Sequence, residues 1–109
     1  MKKYIKLAEN NKNVNYIKLE VKYNLGGVNW ATYQNEDRGY YIYVTPVKLE
    51  NRGSYNMESF TAFTGIKAII KPVKRKSSKA EQEAIKIAEA NEMMLIKQVL
   101  DFNNLQLAE

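Results

Sequence analysis

At 109 residues and 12.6 kDa the chain has room for one domain, which would bury roughly 65% of the surface its unfolded form exposes. It contains no cysteine and no histidine, which excludes thiol nucleophiles, thiolate metal sites, disulfide frameworks and imidazole acid-base chemistry. The formal net charge of +5 is unevenly spread, with +5 over residues 1–72, +4 over 73–79 and −4 over 80–109.

Residues 3–7 suggest a short strand ahead of an asparagine-rich loop at 10–15. The start of the chain has no apolar signal-peptide core, so a cytosolic protein is expected. The longest apolar run, residues 40–44, falls far short of the roughly 20 residues of a membrane-spanning helix. From residue 16 to 63 the pattern has the period of strands. Ile17, Leu19 and Val21 alternate with Lys18, Glu20 and Lys22, as in a strand with one face buried. Gly26-Gly27 supplies turn chemistry for a hairpin to a second strand over 28–33. A third strand is expected over 40–47, with Pro46 at an end or an edge because it cannot donate to a ladder. Arg52-Gly53-Ser54 makes the next turn, into a fourth strand over 55–63.

The period then changes. Ile66, Ile69 and Ile70 fall at helical spacing behind Thr64, which predicts a short helix over 64–71 that Pro72 stops. Residues 71–77 form a basic connector. A long helix follows over 78–104, opened by a capping box at Ser78-Lys79-Ala80-Glu81 and carrying Ala84, Ile87, Ala88, Leu95, Val99 and Phe102 on one stripe. Hairpins followed by helical periods predict an α+β fold, an antiparallel four- to five-stranded meander sheet backed by the C-terminal helix, in a single domain. The expected core is Ile17, Leu19, Val21, Trp30, Ile42, Val44, Phe60, Ala62, Ile66, Ile69, Ile70, Ile87, Leu95, Val99 and Phe102.

The candidate site lies in the front of the chain, where eleven of the twelve aromatics fall at or before Phe63 among most of the cations. Tyr41 and Tyr43 alternate with Ile42 and Val44, so they share the face opposite the core, near Lys18 and Lys22 if the first strand pairs alongside. Flat rings among cations form the sequence-tolerant platform that binds single-stranded nucleic acid. Tyr33 is a further stacking candidate, and Lys74, Arg75 and Lys76 are candidates to meet phosphates. Catalytic arrangements are poorly represented. Gly26-Gly27 is followed by no Gly-Lys-Ser/Thr, Glu36-Asp37 has the composition of a solvated turn, and Ser77-Ser78-Lys79 is explained by helix capping. A protein that is not an enzyme and uses no cofactor or metal is therefore expected.

Two resemblances follow. Residues 22–29, the stretches Arg38-Gly39-Tyr40-Tyr41 and Val44-Thr45-Pro46-Val47, and residues 59–65 resemble a family of small uncharacterised phage and mobile-element proteins of low-GC bacteria. The expected order of four strands and a helix is similar in topology to the Whirly and Pur-type single-stranded-DNA-binding folds. The first likeness implies a second class of function, an anti-CRISPR type inhibitor that binds and occludes a host effector nuclease. Partners are thus single-stranded nucleic acid or a nucleic-acid-handling protein. The apolar cluster Met93-Met94-Leu95-Ile96 exceeds what one small sheet covers, which predicts a homodimer.

Overall fold

The computed structural model describes residues 1–8 and 13–108, so residues 10–12 of the expected loop lie outside the described residues, as does the side chain of Phe60, expected in the core. The described elements are, in chain order, β1 (Lys2–Lys6), β2 (Tyr16–Asn24), β3 (Gly27–Asn29), β4 (Gln34–Glu36), β5 (Gly39–Asn51), β6 (Asn56–Phe60), β7 (Ile66–Pro72) and α1 (Ser78–Asn103). The α+β class and the antiparallel sheet with a C-terminal helix agree with the sequence reading. No described helix is long and apolar enough to cross a membrane.

β5 is the spine of the main sheet. One edge pairs with β2 along nine residues, from Tyr16 opposite Val47 to Asn24 opposite Gly39, and β1 pairs with the outer side of β2. Its other edge is shared: β6 takes Val47–Asn51 and β7 takes Gly39–Val44, with a register shift between Tyr40 and Tyr41. The sheet is therefore not a simple meander, because β7 returns to β5 instead of adding beyond β6. β3 and β4 make a separate two-stranded hairpin inserted between β2 and β5.

This topology corrects two expectations. The segment expected as a short helix over 64–71 is strand β7. Without it half of one edge of β5 would leave backbone groups unpaired, and Ile66, Ala68 and Ile70 alternate toward the core as a strand requires, just as Ile66, Ile69 and Ile70 suit a helical spacing. Pro72 ends the strand opposite Gly39, where a missing N–H does least harm. The second strand expected over 28–33 shrinks to the three residues of β3. Gly26 serves the bend before it, with φ of +74° and a position where a Cβ would stand 2.7 Å from the Glu36 carbonyl oxygen.

Alternation sorts the faces. Ile17, Leu19, Val21, Ile42 and Val44 are buried on one face, and α1 covers them with Ala80, Ala84, Ala88, Ile96 and Val99. The three alanines let the helix lie close to the sheet, and each fully buried isoleucine or valine contributes roughly 1.5–3 kcal/mol. The helix opens one residue before the expected cap: Ser77 Oγ accepts the Ala80 N–H at 3.1 Å. It closes on Asn104 in the left-handed region, φ of 58°. The chain then turns back, where Leu105 is buried and Leu107 bridges Leu7 at the end of β1. Three expected core residues are exposed: Trp30, Ala62 and Phe102. Ile69 lies opposite Tyr41 on the far face of the sheet, half-buried, because it alternates with Ala68 and Ile70.

Candidate nucleic-acid interface

The face of the sheet turned away from α1 carries Tyr4 on β1, Lys18, Glu20 and Lys22 on β2, Tyr41 and Tyr43 on β5 and Lys67 on β7, in adjoining registers. Tyrosines and lysines are thus brought together as the alternation predicts. Acidic side chains from the same face engage the cations. Lys18, with a side chain only 12% exposed, meets Glu58 at 2.5 Å and Glu20 at 3.9 Å, and Tyr4 donates to Glu58 at 2.5 Å. Burial works to raise the Glu58 carboxyl, but the hydrogen bonds from Lys18 and Tyr4 outweigh it and the net shift is downward. The same bond to the carboxylate pushes the Tyr4 phenol up to about 12. Lys22 is more open and lies 3.3 Å from Glu20 and 5.6 Å from the centre of the Tyr43 ring.

The tyrosines differ in access. Tyr43 is half-buried between Lys22 and Lys67. Tyr41 is only 6% exposed, and its hydroxyl donates to the Asp37 carbonyl at 2.7 Å. Burial, then the nearby Glu36 carboxylate, pushes the Tyr41 phenol up. Glu36 at the end of β4 pairs with Lys67, and this hydrogen bond holds its carboxyl below the usual range while raising the Lys67 ammonium. Lys67 in turn lies 5.4 Å from the centre of the Tyr41 ring. The Tyr41 ring therefore offers no open face for a base.

The two most exposed aromatics among the described residues are on the β3–β4 hairpin, while Tyr55 and Phe102 are exposed elsewhere. Trp30 is 77% and Tyr33 81% exposed, and Leu25 and Val28 beside them are exposed as well. Tyr33 has a φ of 56°, a conformation that costs a bulky residue about 1–2 kcal/mol. Its N–H donates to the Asn29 carbonyl at 2.7 Å, which fixes the turn. Arg38 joins this hairpin to the basic connector: its Nε donates to the Leu25 carbonyl at 2.9 Å and its Nη1 to the Lys74 carbonyl at 3.5 Å. Lys74, Arg75 and Lys76 are all exposed, and Lys76 Nζ stands 6.0 Å from the centre of the Tyr23 ring.

Of the residues expected at the site, Lys18 and Tyr41 are thus engaged within the fold, Lys22 and Tyr43 are partly open, and Tyr33, Lys74, Arg75 and Lys76 are exposed at one end of the sheet. Sequence reasoning missed Trp30 and Arg38. The signal for Trp30 was present, because residues 30–33 lack the polar alternation of a strand and follow two glycines too closely for a long one. Arg38 carried no local signal; its role depends on two segments distant in sequence. The described residues hold no group of three acidic side chains placed to bind a metal. Comparison of the chain with protein-family models, with curated proteins and with solved structures gave no match.

Proposed function

We propose that the protein binds single-stranded nucleic acid, with little sequence preference, at the end of the sheet where the β3–β4 hairpin meets the connector. Trp30 and Tyr33 stack bases, Lys74, Arg75, Lys76 and the open Lys22 meet phosphates, and Tyr43 borders the path. No catalysis, cofactor or metal enters this reading, which sets the protein in the cytosol of a host cell of a phage or mobile element. The observation that carries it is the double anchorage of Arg38, which seats an exposed tryptophan-bearing hairpin beside three exposed, consecutive cations. Three residues of β3 rise about 10 Å, so the hairpin tip stays within a few nucleotides of the connector. Rings supply about 1–3 kcal/mol per stacked base, and cations supply the salt-dependent remainder.

Trp30 is the chain's one tryptophan, so its fluorescence reads the proposed contact directly. Titration with an oligothymidylate at low and moderate salt should give saturable quenching. Replacing Lys74, Arg75 and Lys76 with alanine should flatten the dependence of log K on log salt by about 2, at roughly 0.7 per phosphate contact on a single strand. Trp30→Ala, followed with a labelled oligonucleotide, should lose roughly 1–3 kcal/mol with little change in slope. Absence of binding at low salt would overturn the proposal.

One feature favours a second reading, an anti-defence inhibitor that occludes a host effector nuclease. Leu25 and Val28 are exposed on the same segment as Trp30 and Tyr33, and the aromatic-bearing sheet face has its cations largely paired with its own carboxylates. Such a protein would bind one nuclease stoichiometrically and leave free oligonucleotide unbound at every salt concentration.

A further inference from the structure

We propose that the outward face of α1 is the interface of a two-fold symmetric, antiparallel dimer of this chain. Opposite the buried stripe, Lys86, Ala90, Met93, Met94, Lys97 and Asp101 fall within an arc of about 100° on the helix, and all six are exposed. The methionines border an almost wholly apolar groove completed by Ile96, Lys97, Leu100 and, from the returning C-terminal tail, Leu107. A solvated helix face is polar; two adjacent exposed methionines over an apolar groove are composed for contact, and their flexible thioethers fill irregular gaps.

The order of charges selects the occupant and its direction. Lys86 and Asp101 lie on opposite sides of the methionine pair at equal spacing, about 11 Å each way from the midpoint between residues 93 and 94 at 1.5 Å per residue. A two-fold axis through that midpoint, perpendicular to the helix, sets Lys86 of each copy opposite Asp101 of the other, and this pairing occurs twice per dimer. The same axis sets Lys97 opposite Ala90, one residue from Glu89. Among the described residues neither Lys86 nor Asp101 forms a salt bridge. A parallel arrangement would instead place Lys86 on Lys86 and Asp101 on Asp101. The face is therefore complementary to itself in one direction only, as an isologous interface requires.

One helix face with a short tail lies toward the low end of the roughly 800 Å² that each partner buries in stable complexes, so the dimer should dissociate on dilution. The interface does not depend on the nucleic-acid reading, because the hairpin and connector take no part in it.

Sedimentation equilibrium over a wide concentration range tests the proposal. The mass should rise from 12.6 kDa toward twice that value, and Met93→Lys with Met94→Lys should hold it at the monomer. Lys86→Asp should weaken association about tenfold, since it makes two repulsive contacts from two attractive ones. Lys86→Asp combined with Asp101→Lys should recover most of that loss. Circular dichroism of each variant confirms that the helix is retained. A wild-type chain that stays monomeric at the highest concentration overturns the proposal, as does a methionine variant that still dimerises, a Lys86→Asp variant with unchanged association, or a double variant that fails to recover.

Discussion

Tyr40 and Ser77 exchange two hydrogen bonds: the Tyr40 hydroxyl donates to the Ser77 carbonyl at 3.2 Å and accepts from the Ser77 N–H at 3.3 Å. Ser77 caps α1, so this one phenol ties the start of the helix to the beginning of the central strand β5. The Ser77 carbonyl also accepts the Glu81 N–H at 3.0 Å and keeps a partner when the phenol is removed, whereas the N–H does not. Tyr40→Phe should therefore lower stability by about 1–2 kcal/mol. The urea midpoint should fall at constant slope, and an unchanged midpoint would show that water replaces the phenol without loss.

Tyr41→Ala should act on the fold before it acts on any ligand. Its ring is only 6% exposed, and truncation of a buried aromatic costs about 3–5 kcal/mol. Trp30→Ala removes a ring that already stands in solvent and should leave stability within about 0.5 kcal/mol. Melting curves of the two variants check the contrast, and equal melting temperatures would contradict it.

The Tyr4–Glu58–Lys18 network fixes two pH limits. The Glu58 carboxyl is held below its ordinary 4.5 in the folded chain, so its contribution is present above that value and is lost as pH falls through the folded pKa. Tyr4 is raised from 10.0 to about 12, so its contribution is complete below pH 10 and is lost as pH rises toward 12. Glu58→Gln removes the carboxylate that titrates at the acid limit and that raises the Tyr4 phenol at the alkaline one. Phenolate absorbance should then show one tyrosine returning toward 10, and the acid limb of stability should flatten. A tyrosine titration identical to wild type would refute the assignment.

Gly39→Ala should destabilise by roughly 1–3 kcal/mol or more. A Cβ there would run into the Lys71 carbonyl oxygen and stand 2.8 Å from the Pro72 Cα, both backbone atoms that cannot turn aside. The β5–β7 pairing should loosen first, which amide exchange over Ile66–Pro72 would report. Protection there equal to wild type would show that the ladder accommodates the methyl group.

β2, the core of β5 and α1 were legible because each carries its own period: Ile17, Leu19 and Val21 at spacing two, Ala84, Ala88 and Val99 on one helical stripe. β7 was not, because Ile66, Ile69 and Ile70 suit a helix while Ile66, Ala68 and Ile70 suit a strand. The choice was made by the unpaired half of β5, an element more than twenty residues earlier. The candidate site divides along the same line. That Tyr41 and Tyr43 share a face with Lys18 and Lys22 follows from alternation alone. That Glu58 and Glu36 engage Lys18 and Lys67, and that Lys67 in turn lies against the Tyr41 ring, depends on register between distant segments, which no local pattern records.

β5 is hydrogen-bonded along both edges, whereas the β3–β4 hairpin rests on three paired residues and the side-chain anchors Arg38 and Glu36. Opening a segment needs only the loss of its own pairings, so backbone amides of the hairpin should exchange with solvent long before those of Ile42–Val47. The surface that presents Trp30 can then refold around an occupant as an independent unit, with the sheet beneath it still closed.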